Sequence, residues 1–207
     1  DSPVACWLAM KRGCLVVPIY MDNVPFTDET TTERAIDVAR VLARWSLGLM
    51  RYMYVVPHGQ NLLKIKEKCP ERLTCVLCKR LMYRIAERIA DLEGAAGIIT
   101  GEAIGEQASQ TPANLKVLSS ALTKYPVHRP LLCFDKVETK RLARMIGTYE
   151  VSTRPAAGCR AAPKRPTTAA KLAKVIALEE ELDIDSMVKR SVSAARKIRV
   201  WDGRVAR

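Results

Sequence analysis

Two groups of residues in this sequence have the types and spacing to do chemistry. The first is the run 100–111, Thr-Gly-Glu-Ala-Ile-Gly-Glu-Gln-Ala-Ser-Gln-Thr. It brings glycines, carboxylates, amides and hydroxyls together directly after a small-to-apolar run, 94–99, that reads as a short buried strand. A strand opening into small and polar residues describes the carboxyl edge of a parallel sheet, where open α/β folds bind their ligands. The same composition also describes a plain polar loop ahead of a helix.

The second group is drawn from the seven cysteines. Cys75 and Cys78 stand at the start of a predicted helix, followed by Lys79 and Arg80. A helix N-terminus and nearby cations favour thiolates. Cys-x-x-Cys places two sulfurs on one side of the chain, as a metal, a cluster or a redox dithiol requires. Two small residues without a chemical task would look the same. A metal or cluster needs a third ligand, and Cys159 is the candidate because it lies in a Gly/Pro-rich loop. Cys6, Cys14 and Cys133 fall in apolar runs and read as packing residues. Cys69, before a proline, stays open. Zinc would need a fourth closed position. Three cysteines suit an iron–sulfur cluster with one iron open to an outside ligand. His58 and His128 could supply a fourth ligand, although histidines at strand ends and in loops more often lie at the surface or contact substrate.

These residues need a frame. Residues 3–12 have the spacing of a buried helix, with Ser2 as its cap, Pro3 in its first turn and Gly13 at its end. Residues 14–20 form a near-continuous apolar run, the pattern of a parallel strand covered on both faces. A long helix follows to about Leu49, capped by Thr27 or Asp28; then comes a strand over 51–57, with His58 and Gly59 after it. A short amphipathic segment, 62–69, precedes the Cys75 helix, which runs to about Leu92. Beyond the polar loop the pattern predicts a helix over 113–122 entered through Thr111-Pro112, and a strand at 130–133. A helix over 136–146 follows, between Asp135 and Gly147. Residues 151–166 read as irregular. Two helices follow, one capped by Thr167 or Thr168 and running to about Leu182, the other over 183–195, before a final strand at 197–201. Alternating strands and helices predict an α/β fold: a doubly wound, mostly parallel sheet with helices on both faces.

With 207 residues the chain is long enough to bury a substantial core, and 48% hydrophobic content is that of an ordinary globular protein. The net charge of +12 points to a polyanionic partner, or else to a solvated basic surface. No apolar run approaches the roughly 20 residues of a membrane span. An odd cysteine count without a signal peptide predicts a cytoplasmic protein with reduced thiols.

Several segments, in order, resemble one family. They are Asp1-Ser-Pro-Val-Ala5, Gly101-Glu-Ala-Ile-Gly105 with Ala108-Ser-Gln-Thr111, Arg129-Pro-Leu131, Asp135-Lys136, and Ile146-Gly-Thr-Tyr-Glu150. Together they resemble the pyrophosphatase-loop ATPase domain of the tRNA 4-thiouridine synthetase (tRNA sulfurtransferase) family. The likeness is to the archaeal type, with Cys-x-x-Cys and without a rhodanese domain, and it spans 1–207 as one domain. The family loop is Ser-Gly-Gly-x-Asp-Ser, and only its last two positions are matched, by Asp1 and Ser2. The sequence therefore reads as starting inside the motif, after the family's first strand and RNA-binding region. One position departs from the family's Gly-Gln-x-Ala-Ser-Gln pattern: Glu106 stands where the family has an amide.

The resemblance implies ATP with Mg²⁺, Asp1 acting in catalysis and on the metal, and Ser2 on the phosphates. It places Tyr20 and Met21 near the adenine, and Gly101, Gln107 and Gln110 on the nucleotide side of the crevice. ATP would adenylate the C4 oxygen of a uridine in tRNA, and a sulfur nucleophile would then displace AMP to give 4-thiouridine. Cys75, Cys78 and Cys159 would hold an iron–sulfur cluster, of the 4Fe-4S type, with Cys159 also catalytic. Sulfide or a cysteine desulfurase would donate sulfur. The family also implies a homodimer and a link to thiamine synthesis. The basic last third, including Arg154, Arg160, Lys164, Arg165, Lys171, Lys174, Lys189, Arg190, Arg196, Lys197 and Arg199, would meet the tRNA backbone. The rival readings are another pyrophosphatase-loop enzyme (2-thiolation or amidotransferase type), a non-catalytic basic RNA-binding module, and a zinc-stapled scaffold.

Overall fold

The computed structural model describes residues 1–206. Its helices are α1 Ser2–Met10, α2 Glu29–Ala43, α3 Gly59–Lys68, α4 Thr74–Glu93, α5 Pro112–Ser119, α6 Lys136–Met145, α7 Tyr149–Ser152, α8 Leu172–Glu180 and α9 Ile184–Ser193. Its strands are β1 Ile19–Asp22, β2 Tyr52–Pro57, β3 Ile98–Ile99, β4 Val127–His128 and β5 Arg196–Arg199. β1 pairs parallel to β2, and β5 adds to the far edge of β2 antiparallel. β3 and β4 form a second parallel pair.

The alternation of β2 shows why helices cover both faces. Tyr54 and Val56 point into one apolar cluster, with side chains of α3, α4, α5, α8 and α9. Met53 and Val55 point into the other, with α1, α2 and Ile146 at the end of α6. A strand buried on both sides must be apolar at successive positions, and Met-Tyr-Val-Val is. The α/β architecture with helices on both faces therefore stands as expected.

The local code is clearest where a side chain completes a backbone group. Thr111 caps α5 by accepting from Asn114 N at 3.2 Å. Asp135 and Glu138 form a reciprocal capping box on α6, at 2.7 and 2.9 Å. Elsewhere the elements differ from expectation. The strand predicted over 14–20 is confined to Ile19–Asp22, although Pro18 O already accepts from Tyr54 N at 2.8 Å. The predicted strand at 130–133 is a turn; pairing falls earlier, at Val127–His128, and Leu131 is buried from the turn itself. The α1 cap is Asp1, with Ser2 in the first turn. α2 stops at Ala43 and gives way to a 3-10 turn, Arg44–Ser46, with Leu47 left-handed. His58 is the N-cap of α3, which starts earlier than predicted. α8 begins only at Leu172, since Thr167 and Thr168 are used to tie the preceding segment to Arg72 and Thr111.

Candidate active site

The carboxyl end of β2 leads into His58, and that of β3 into the loop that carries Gly101, Gln107 and Gln110. α4 connects them. Its second turn touches the loop after β2 through Cys78, 3.3 Å from His58 Nε2, and the loop after β3 through Lys79, 3.2 Å from Glu102. The loop after β3 in turn meets α1. A Cβ built on Gly101 would lie 2.4 Å from Ser2 N and 2.6 Å from Ser2 Cα, so only glycine permits this approach. The backbone N–H groups that open α1 therefore stand against the first residues after β3. A helix N-terminus in that position suits an anion.

Asp1 sits at the head of α1. Its carboxylate accepts from Lys136 Nζ at 2.7 and 2.9 Å, and the same ammonium reaches Glu106 at 3.2 Å. Lys136 is the first residue of α6, so the Asp135–Glu138 capping box fixes the backbone that presents it. A cavity of ≈ 430 Å³ opens beside these groups, lined by Gly105, Glu106, Cys133, Phe134 and Lys136 among others. Glu102, buried behind Gly101, accepts from Arg129 at 2.8 Å, Tyr83 at 2.5 Å and Lys79. Burial opposes its charge, but Lys79, Tyr83 and Arg129 hold the carboxyl below its ordinary range. Burial, and then the facing Glu102, push the Tyr83 hydroxyl up. This buried set makes the loop after β3 rigid where it meets α1.

The other predicted nucleotide-side residues are less uniform. Tyr20 and Met21 are neighbours on β1, so their side chains diverge to opposite faces. Tyr20 packs toward α2 and donates to Thr31 Oγ1 at 2.9 Å, whereas Met21 packs in the α3/α4 cluster. What they share is the strand's backbone edge. Gln107 is exposed. Gln110 is buried, and its Oε1 has no hydrogen-bond partner, a polar atom left ready for one.

Of the three predicted sulfur ligands, two share a helix and the third lies in a separate loop nearby. Cys75 and Cys78 are one turn apart on α4, and Cys159 lies near enough to bear on both. Burial, and then the Cys159 thiol, push the Cys75 thiol up; the same order of causes, with Cys75 added, pushes Cys78 up. Lys79 pulls both the other way. The Cys159 loop is anchored on the segment after β1: Arg160 N donates to Phe26 O at 2.9 Å, and the Arg160 guanidinium to Pro25 O at 2.6 Å. Cys75 and Cys159 are half-buried, and Cys78 is buried. Among the described residues no three of His, Cys, Asp or Glu are closed to metal-ligand distances. The donor chemistry, three cysteine sulfurs with Lys79 near Cys75 and Cys78, is of the kind a thiophilic group takes.

The remaining cysteines correct two expectations. Cys6 is a packing residue, its thiol pushed up to about 12 by burial, but Cys14 and Cys133 are exposed. His58 is fully buried, and burial lowers its pKa to about 4. His128 is exposed and packs on Gly97. Two residues of the site were not singled out from the sequence. Lys136 appeared only inside a motif, because its partner Asp1 is 135 positions away. Arg129 likewise stood in a motif without its role as the Glu102 partner.

Fold and site define an α/β domain whose candidate site residues gather around the loop after β3 and the start of α4. The chain belongs to the thiamine biosynthesis protein (ThiI) family, whose profile matches residues 1–184. It is 44% identical over 200 residues to a probable tRNA sulfurtransferase of Methanosarcina mazei, covering 97% of this chain and 49% of that protein. A probable tRNA sulfurtransferase of Caldanaerobacter subterraneus is 42% identical over 190 residues, covering 91% of this chain and 49% of that protein. Among solved structures, a 4-thiouridine synthetase–RNA complex with bound ATP superposes with a TM-score of 0.91 at 37% identity, over 96% of this chain and 52% of that one. The chain thus spans about half the length of the relatives it matches. No described helix is long and apolar enough to cross a membrane.

Proposed function

We propose that this domain activates a uridine in tRNA with ATP and replaces its C4 oxygen with sulfur. The observation that carries the reading is the double engagement of α4. The Lys79 charge favours the thiolates of Cys75 and Cys78, and its ammonium also pairs with Glu102, the residue after Gly101, which meets Ser2. Activation and sulfur delivery then share one cleft. The relatives called tRNA sulfurtransferase and the ATP-bound 4-thiouridine synthetase support the same assignment.

In this reading the α1 N-terminus and Ser2 take phosphate oxygens of ATP. Asp1 and Glu106 are hard oxygen donors suited to Mg²⁺. Lys136 neutralises the charge that gathers as pyrophosphate leaves. Adenylation turns the C4 oxygen, a poor leaving group, into one carried off as AMP when a sulfur nucleophile attacks C4. Gln110 Oε1, buried and unpartnered, offers an acceptor on the nucleotide side. Cys75, Cys78 and Cys159 would hold an iron–sulfur cluster, which when bound would supply a site for sulfide. Lys164, Arg165, Lys171, Lys174, Lys189, Arg190, Arg196 and Arg199 are exposed. Among the described residues they have no carboxylate at ion-pair distance, which leaves them available to phosphates of tRNA. Sulfide or a desulfurase as donor, a cytoplasmic setting and a homodimer belong to the same proposal.

The test is mass analysis of tRNA nucleosides after anaerobic incubation with the iron-loaded protein, ATP and sulfide. 4-Thiouridine that depends on ATP is the expected product. A 2-thiolated or aminated base, or unmodified tRNA, would overturn the assignment.

A further inference from the structure

Behind the Cys78 sulfur lies a buried polar chain that the reaction above does not use. His58 Nε2 is 3.3 Å from Cys78 Sγ; His58 Nδ1 is 3.3 Å from Asn61 Nδ2; and Asn61 Nδ2 donates to Ser191 Oγ at 2.7 Å. The four residues come from the loop after β2, α3, α4 and α9. His58 is 0% exposed, and Asn61 and Ser191 are 4% exposed each. Polar groups set this deep in an apolar cluster are costly unless every member is satisfied, so the chain is a built feature.

Its mounting is rigid. His58 N donates to Asp22 O at 2.7 Å, tying it to the end of β1. The next residue, Gly59, is pressed against the Val24 carbonyl, where a Cβ would fall 1.7 Å from the oxygen. The backbone that carries the ring is thus tied to the end of β1 and to the segment after it.

The direction of the hydrogen bonds follows from the donors. Asn61 Nδ2 can only donate, so His58 Nδ1 must accept. In a neutral ring the proton is then on Nε2, and Nε2–H points at the sulfur. We infer that His58 is a positioning residue for Cys78: its Nε2–H donates to the Cys78 sulfur, holding it in one direction and taking up part of its charge, with Asn61 and Ser191 setting the tautomer. A thiolate ligand in a buried site is stabilised by such a donor, and hydrogen bonds to cluster sulfurs make a cluster easier to reduce. The consequence for a cluster rests on the proposed sulfur-ligand set; the hydrogen bond itself does not.

Two measurements separate these. In metal-free protein, ¹⁵N-histidine NMR should show His58 as the Nε2–H tautomer, and Cys78→Ala should move the Nε2 resonance. An Nδ1–H tautomer, which exchange of the Asn61 amide nitrogen and oxygen would produce, overturns the inference. In protein loaded anaerobically with iron and sulfide, His58→Leu should lower the midpoint potential and speed iron loss to a chelator by about tenfold or more. His58→Gln, which keeps an N–H donor, should restore most of both. Potential and iron retention equal to wild type in the Leu variant would also overturn it. If His58→Leu does not fold, the tautomer and the Gln variant decide. Wild-type protein that takes up no iron contradicts the cluster reading alone, and the tautomer still decides His58.

Discussion

Gly101 shows how much can depend on a missing side chain. A Cβ at this position would sit 2.4 Å from Ser2 N. Gly101→Ala must push the loop after β3 away from α1, and such overpacking costs about 1–3 kcal/mol. If α1 and this loop together form the phosphate site, ATP binding should weaken by roughly 10- to 100-fold. Calorimetric titration with ATP measures this, and unchanged affinity would place the phosphates elsewhere. At this scale the sequence was informative about residue type and poor about partners. The thiols Cys75, Cys78 and Cys159 were proposed as a set because sulfur chemistry narrows what a cysteine in a loop or at a helix start can do, and the fold sets Cys159 near the other two. The Lys136–Asp1 pair and the His58–Cys78 contact were not legible, because each joins elements that only the fold brings together. Cys14 and Cys133 were misjudged for the opposite reason: apolar neighbours say nothing about which way one side chain faces.

Among the elements, α5 and α6 were read well from their end signals, whereas the Thr167 or Thr168 cap expected for α8 was not. α6 runs between Asp135 and Gly147 as its cap and stop signals require, and α5 opens at Thr111-Pro112. Apolar runs without such signals misled. The Leu131–Leu132 run looks like a strand, but Leu131 fills the α1/α2 cluster from a turn, and the ladder falls earlier, at Val127–His128. The α6 cap also bears on function, because Lys136 is the first residue after it. Asp135→Ala should cost about 1 kcal/mol of stability. The same change should loosen the hold of Lys136 on Asp1 and so slow adenylation more than it weakens ATP binding. Chemical denaturation together with pyrophosphate release reads both effects; a variant as stable as wild type would show that the capping box contributes nothing.

For the molecule as a whole, β5 is the departure from an all-parallel sheet, and a cluster on its pairing with β2 ties it down. Glu93, at the end of α4, accepts from Tyr52 and Tyr54, and pairs with Lys197 at 2.9 Å. Burial works against its charge, yet these hydrogen bonds hold the Glu93 carboxyl at about 2. Its folded pKa lies below the unfolded value of about 4.3. The unfolded chain therefore takes up the proton first as pH falls. The stabilisation is present in full above that unfolded value and is lost as pH drops toward 2. Glu93→Gln should make stability fall less steeply over that window, with little change in slope above it. Unfolding curves across pH test this, and identical slopes would remove Glu93 from the account.

The central claim is that base activation and sulfur transfer use neighbouring but separable parts of one cleft. The most direct test follows both in one reaction, with tRNA, ATP and sulfide, comparing wild type with Cys159→Ala and recording ATP-dependent adenylation of tRNA alongside 4-thiouridine. Adenylation that persists while 4-thiouridine disappears is the predicted result. Full thiolation without Cys159, or loss of adenylation together with thiolation in a folded, ATP-binding variant, would contradict it.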